Sequence, residues 1–157
     1  MMRLIEILPA DRILVDPAGG VIRSKTDALR VLSQLLAPAV GVGEQAVEQL
    51  LSDRERLQST GIGEGVAIPH ASVDSAPGQA AALLLCPRGV PFEAIDGNNV
   101  TIIFGVVGPK RATGEHLRTL ARISRLLRDS GTRSRLASSE SPESAYRLIE
   151  AQETGLT

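Results

Sequence analysis

The sequence predicts an α/β fold, a mixed central β-sheet flanked by helices on both sides (α/β/α sandwich), and three observations carry that prediction. Three short apolar runs, residues 66–68, 80–86 and 100–107, are bounded by Gly, Pro, Asp or Asn, and the last two are apolar enough for strands covered on both faces. Segments with helical spacing precede and follow these runs, so helices stand on both sides of the strands along the chain. The length, 157 residues, fits one compact unit of roughly 100–200 residues, which places a single domain over 1–157.

The elements follow in order. Residues 24–39 set Ala28, Leu29, Leu32, Leu35, Leu36 and Ala39 on one helical face, with Ser24 or Thr26 available as N-cap and Pro38 and Gly41 closing the helix. From Glu44 to about Arg54 the pattern repeats through Val47, Leu50 and Leu51. A polar stretch then leads into the glycine-rich turn Ser59-Thr60-Gly61-Ile62-Gly63-Glu64-Gly65, directly ahead of the first strand. After the third strand, residues 114–127 return to helical spacing through Leu117, Leu120, Ile123 and Leu127. Ser141-Pro142-Glu143 opens a last helix that turns Ala145, Leu148 and Ile149 inward. Residues 138–141 read as a loop, and 154–157 are expected to fray. No repeat or low-complexity segment interrupts this order.

Composition limits the function classes. Hydrophobic residues make up 43% of the chain and aromatics only 2%, so Val, Ile, Leu and Ala must fill the core. A formal net charge of −1 gives no general attraction to nucleic acid or to an anionic membrane. No apolar run approaches the ~20 residues that span a bilayer, and residues 1–9 lack the cleavage pattern of a secretory leader. The expectation is a cytoplasmic protein without membrane insertion. Cys86, alone and inside an apolar run, reads as a buried strand thiol.

The chemistry is confined to few residues, because the chain has only two histidines, His70 and His116. His70 follows Ile68-Pro69 at the end of a strand; Pro69 fixes its own φ and keeps Ile68 extended, so the approach of the imidazole is sterically defined. A neutral imidazole has a free lone pair near neutral pH and accepts a phosphoryl group without a separate base. Gly61 and Gly63 permit positive φ and close backbone approach, and Ser59 and Thr60 add hydroxyl donors, so residues 59–63 form a candidate phosphoryl-binding loop. The glycines do not open a helix and no Walker lysine follows, which speaks against a nucleotide loop. His116 falls in the first turn of a helix, where N–H groups favour an anion. Arg54 offers a guanidinium fork for phosphate, while its neighbours Asp53, Glu55 and Arg56 read as a solvated charge cluster. Arg118, Arg122, Arg125 and Arg128 recur at helical spacing, a pattern that usually marks a solvated face. A zinc hydrolase finds little support, since no His-x-x-x-His or Cys-x-x-Cys pair is present.

The run from Arg54 to Ala71, Arg54-Glu55-Arg56-Leu57-Gln58-Ser59-Thr60-Gly61-Ile62-Gly63-Glu64-Gly65-Val66-Ala67-Ile68-Pro69-His70-Ala71, resembles the active-site signature of the type-2 (fructose/mannitol) enzyme IIA family of the phosphotransferase system. Val90-Pro91-Phe92-Glu93-Ala94-Ile95-Asp96-Gly97 resembles the turn before that family's next strand, and His116-Leu117 with Leu120-Ala121 resembles its second-histidine helix. The resemblance implies a phosphotransferase in which His70 is phosphorylated on the ring nitrogen remote from the backbone, His116 steadies the phosphoryl group and Arg54 lies close to the site. It implies no metal or other cofactor. It also implies an HPr-like or nitrogen-related phosphocarrier as donor, and a downstream IIB domain or regulatory target protein. Ser59-Thr60-Gly61-Ile62-Gly63 without fused IIB or membrane segments is similar to the nitrogen-regulatory branch, in which the phosphoryl state is a signal. A sugar-specific IIA and a non-catalytic protein-binding module stay open as alternatives.

Overall fold

In the computed structural model, which describes residues 3–155, six strands form one mixed sheet between two helical layers. The strands are β1 (Ile13–Val15), β2 (Gly61–Gly63), β3 (Val66–Ala67), β4 (His70–Ser72), β5 (Ala80–Val90) and β6 (Val100–Gly108), in the order β1-β5-β6-β3-β2, with β4 also on β6. Five α-helices accompany them: α1 (Lys25–Val40), α2 (Glu44–Leu57), α3 (Thr113–Leu126), α4 (Ser130–Ala137) and α5 (Pro142–Gly155). Among the described residues no helix is long and apolar enough to cross a membrane.

The two long strands explain the sandwich. β5 and β6 pair antiparallel, and alternate residues of each enter different cores. Ala80, Ala82, Leu84, Cys86, Ile103 and Val107 pack with α1 and α2, whereas Ala81, Leu83, Leu85, Ile102, Phe104 and Val106 pack with the other layer. That second core holds Ile123 and Leu126 of α3, Leu136 of α4, and Ala145 and Ile149 of α5. Both faces are covered, so the apolar runs are continuous and do not alternate. Cys86 is buried as expected, and burial pushes its thiol up to about 12.

Helix ends follow local chemistry. Ser24 caps α1 by accepting the Asp27 N–H at 3.0 Å. Pro38 does not close the helix: it sits in the last turn, and α1 ends at Gly41 with φ +70°. The last helix begins at Pro142 as anticipated and runs to Gly155, past the start of the expected frayed tail; residues 156–157 lie outside the described ones.

The strands nearest His70 are arranged along β6. β3 and β4 both run parallel to it, Val66 beside Ile102 and His70 beside Val106, so residues 66–72 make one strand interrupted at Ile68-Pro69. The interruption falls where Pro69 has no N–H to give. The glycine-rich segment, expected as a turn ahead of the strand, is largely a strand itself. β2 and β3 form a hairpin closed by Glu64 and Gly65, whose φ values of 58° and 77° are those of a two-residue primed turn.

Candidate active site

His70 begins β4, and its ring is half-buried. Its Nδ1 lies 2.7 Å from the Ile68 carbonyl oxygen. A carbonyl can only accept, so Nδ1 carries the hydrogen and Nε2 keeps its lone pair. Burial is the main cause that holds the His70 pKa below its usual value of 6.5. The Ile68 hydrogen bond opposes that shift, the charge of Arg54 adds to it, and the charge of Glu55 opposes it.

His116, in the first turn of α3, meets His70 with ring centroids 5.6 Å apart and planes inclined by 52°. The side chain is 9% exposed, and its Nδ1 is buried without a hydrogen-bond partner. A polar atom in that condition costs free energy until something bonds it. Burial, with the neighbouring His70 second, lowers the His116 pKa too. Both rings therefore favour the neutral form near pH 7.

Beside His70 opens a cavity of about 300 Å³ lined by Arg54, Ser59, Thr60, Gly61, Leu120 and Ser124, among others. Arg54 stands in the last turn of α2, where Nη1 donates to the Gln58 carbonyl at 2.9 Å, and it is among the residues that line the cavity, so a guanidinium charge stands beside it. The hydroxyls of the glycine segment serve the fold first. Ser59 donates to the Phe92 carbonyl at 2.9 Å and accepts the Gly61 N–H at 3.1 Å, and Thr60 Oγ1 donates to Glu55 at 2.5 Å. Ser59, Thr60 and Gly61 line the cavity, whereas Gly63 does not. Past the bulge between Gly61 and Gly63 the chain borders an adjoining groove, which Gly63 lines together with Glu64, Arg128 and Arg133.

Two readings of charged residues need correction. Glu55, expected in a solvated cluster, is only 6% exposed and accepts from the Thr60 N–H at 2.9 Å and from Lys25 Nζ at 3.1 Å. The signal was available: Val47, Leu51 and Glu55 are four apart, so Glu55 continues the buried stripe of α2. Arg122 likewise leaves the solvated arginine face and pairs with the fully buried Glu153 at 2.7 Å. Exposed Ile62 and Ile95, both on the cavity rim, give the mouth an apolar border.

Two neutral histidines in contact, one with its outer nitrogen free, beside an arginine-bearing cavity, form a constellation that comparison with known proteins places. The family described as Phosphoenolpyruvate-dependent sugar phosphotransferase system, EIIA 2, matches residues 6–152. The chain belongs to this enzyme IIA family. A Nitrogen regulatory protein of Pseudomonas aeruginosa is 35% identical over 150 residues, 95% of this chain and 96% of that one. The crystal structure of the Nitrogen Regulatory Protein IIA-Ntr from Neisseria meningitidis superposes with a TM-score of 0.84 at 32% identity, covering 92% of this chain and 97% of the other. The fructose-specific EIIABC component of Bacillus subtilis is 36% identical over 105 residues, 67% of this chain and 16% of that protein. As an enzyme IIA domain the chain falls in the phosphotransfer class, close to the nitrogen-regulatory members and related to the sugar-specific ones.

Proposed function

We propose that His70 is the phosphoryl acceptor, and that its Nε2 takes a phosphoryl group from an HPr-like or nitrogen-related phosphocarrier protein. The observation that carries this reading is the Nδ1–Ile68 hydrogen bond, which leaves the outer ring nitrogen with its lone pair. Nε2 attacks phosphorus in line, the new N–P bond forms as the donor's N–P bond breaks, and the donor imidazole departs with the released electron pair. No proton has to move on this side: the hydrogen stays on Nδ1, donated to the Ile68 carbonyl, while the ring becomes cationic and the phosphoryl group carries the negative charge. His116, whose ring meets the His70 ring and whose buried Nδ1 is unpartnered, and the Arg54 guanidinium supply donors for the equatorial oxygens. Gly61 and the engaged residues Ser59 and Thr60 shape the wall, with Gly63 holding the hairpin beyond it.

The phosphoryl state is proposed to act as a signal read by a regulatory target protein in the cytoplasm. The near full-length match to proteins named as nitrogen regulatory supports this over sugar delivery to a IIB domain. Incubation with a histidine phosphocarrier and its phosphoenolpyruvate-driven enzyme I tests the acceptor role. Intact-mass analysis should show one added phosphoryl group, acid-labile and alkali-stable, absent from His70→Ala. An unmodified wild type would reject the proposal; transfer onward to a IIB cysteine would move the protein to the sugar branch.

A further inference from the structure

The acceptor nitrogen of His70 depends on one hydrogen bond, to the Ile68 carbonyl, and what steadies Ile68 is not the sheet alone. The β2–β3 hairpin has only two paired positions with a bulge between them, Gly61 beside Ala67 and Gly63 beside Val66. Its last link before Pro69 is the Ile68 N–H donated to the Thr60 carbonyl at 3.0 Å. Thr60 in turn is held from behind by Glu55, which accepts both its N–H and its hydroxyl. Lys25 from α1 completes the carboxylate's shell at 3.1 Å and also reaches Glu93 at 3.3 Å.

A buried carboxylate on the inner stripe of α2 is costly compared with an apolar residue, even when paired. Its placement therefore calls for a reason beyond stability. Three donors converge on two oxygens, the Thr60 N–H and the Lys25 ammonium on one and the Thr60 hydroxyl on the other, so both oxygens are engaged and the carboxylate has one orientation. The chain of contacts is continuous: Lys25 to Glu55, Glu55 to Thr60, Thr60 to Ile68, Ile68 to Nδ1 of His70.

We propose that Glu55, anchored by Lys25, is a positioning residue for His70, fixing through Thr60 and Ile68 which ring nitrogen keeps the lone pair. This rests on His70 as the acceptor, but the ring's tautomer can be read without any donor protein. With Glu55 removed, Thr60 and Ile68 gain freedom, the Nδ1 hydrogen bond loosens and the neutral ring divides between its two tautomers. A misplaced nucleophile then slows transfer by about tenfold to a hundredfold, while donor docking on the rim is untouched.

The test is ¹⁵N NMR of histidine-labelled protein at neutral pH, together with phosphorylation rates over a range of donor concentrations, for wild type, Glu55→Ala and Glu55→Gln. The amide of glutamine can accept the Thr60 N–H with its oxygen and donate to the Thr60 hydroxyl with its nitrogen, so it keeps the shape. Wild type should show the Nδ1–H tautomer alone. Glu55→Ala should add the Nε2–H tautomer and lose at least about tenfold in maximal rate at an unchanged half-saturating donor concentration, and Glu55→Gln should restore both. A folded Glu55→Ala with the wild-type tautomer and rate overturns the proposal, as does a Glu55→Gln that fails like alanine. If Glu55→Ala does not fold, Thr60→Val, which removes only the hydroxyl link, carries the test: a smaller shift of tautomer and rate supports the relay, and none overturns it. A wild type that accepts no phosphoryl group while its tautomer still responds to Glu55→Ala would sink the acceptor role and leave the positioning intact.

Discussion

An imidazole accepts phosphorus only while one ring nitrogen is unprotonated, and burial at His70 and His116 extends that condition to lower pH. The acid limb of the phosphorylation rate should therefore fall below pH 6.5, the ordinary histidine value, in a pH–rate profile at saturating donor. The same shifts fix a sign for stability. Both folded-state pKa values are lowered, so between them and 6.5 the unfolded chain binds more protons. Their contribution is present in full above about pH 6.5 and is lost as the pH falls toward the folded values, which denaturant titrations across that range would reveal. If His116 steadies the phosphoryl group as proposed, His116→Ala, which removes the ring against His70, should slow transfer by roughly a hundredfold without unfolding the protein, as measured by single-turnover phosphorylation. That His70 would stand beside His116 and Arg54 could be anticipated from the sequence, because the chain has so few histidines and the run from Arg54 to Ala71 is distinctive. Glu55 was hidden among charged neighbours, since a sequence shows that a carboxylate is present but not that a distant lysine and a threonine surround it.

At the scale of elements, the approach of the glycine hairpin to the loop after β5 is set by a missing side chain. A methyl group at Gly61 would stand 2.7 Å from the Ala94 Cβ and 2.9 Å from its Cα, and backbone cannot yield as a flexible side chain does. Gly61→Ala should cost about 1–3 kcal/mol in equilibrium unfolding, and should slow phosphorylation because Thr60 moves with it. The long helices and the two central strands could be read from periodicity and apolar runs. The short elements could not: β1, β2 and β4 have three residues each, too few for a period, and α4 has the weakly patterned sequence SGTRSRLA. β5 also extends four residues past Cys86, through Pro87, because a bulge between Leu85 and Val90 absorbs the residue that cannot donate.

Over the whole molecule, the second core is closed by an ion pair that no local pattern announces. Glu153 of α5, fully buried, accepts from Arg122 of α3 and from the N–H groups of Leu4 and Ile5 at 2.7 and 3.3 Å. Glu153→Ala would break the buried ion pair with Arg122 and leave the Leu4 and Ile5 N–H groups without their acceptor, and should destabilise the fold by about 3–5 kcal/mol in urea unfolding, with His70 left in place. The three-layer arrangement itself was legible, because two continuous apolar runs between helices admit few other packings. The knot of charge that ties α3, α5 and the opening segment together joins residues 31 and 149 positions apart, which no local pattern links.

That knot also means that the first and last described stretches lie side by side, with Arg3 reaching Thr154 at 3.2 Å and Leu4 against Glu153. A short peptide bridge across them would ask little rearrangement, and the strand order would survive if the polymer were cut open instead in the exposed stretch at residues 95–99 or at the bend near Glu140. Such a circularly permuted chain, opened near Glu140, should refold with His70 and its cavity in place, whereas a cut at 95–99 would disturb the hydrogen bond from Ile95 to Gly61 and with it the hairpin beside His70.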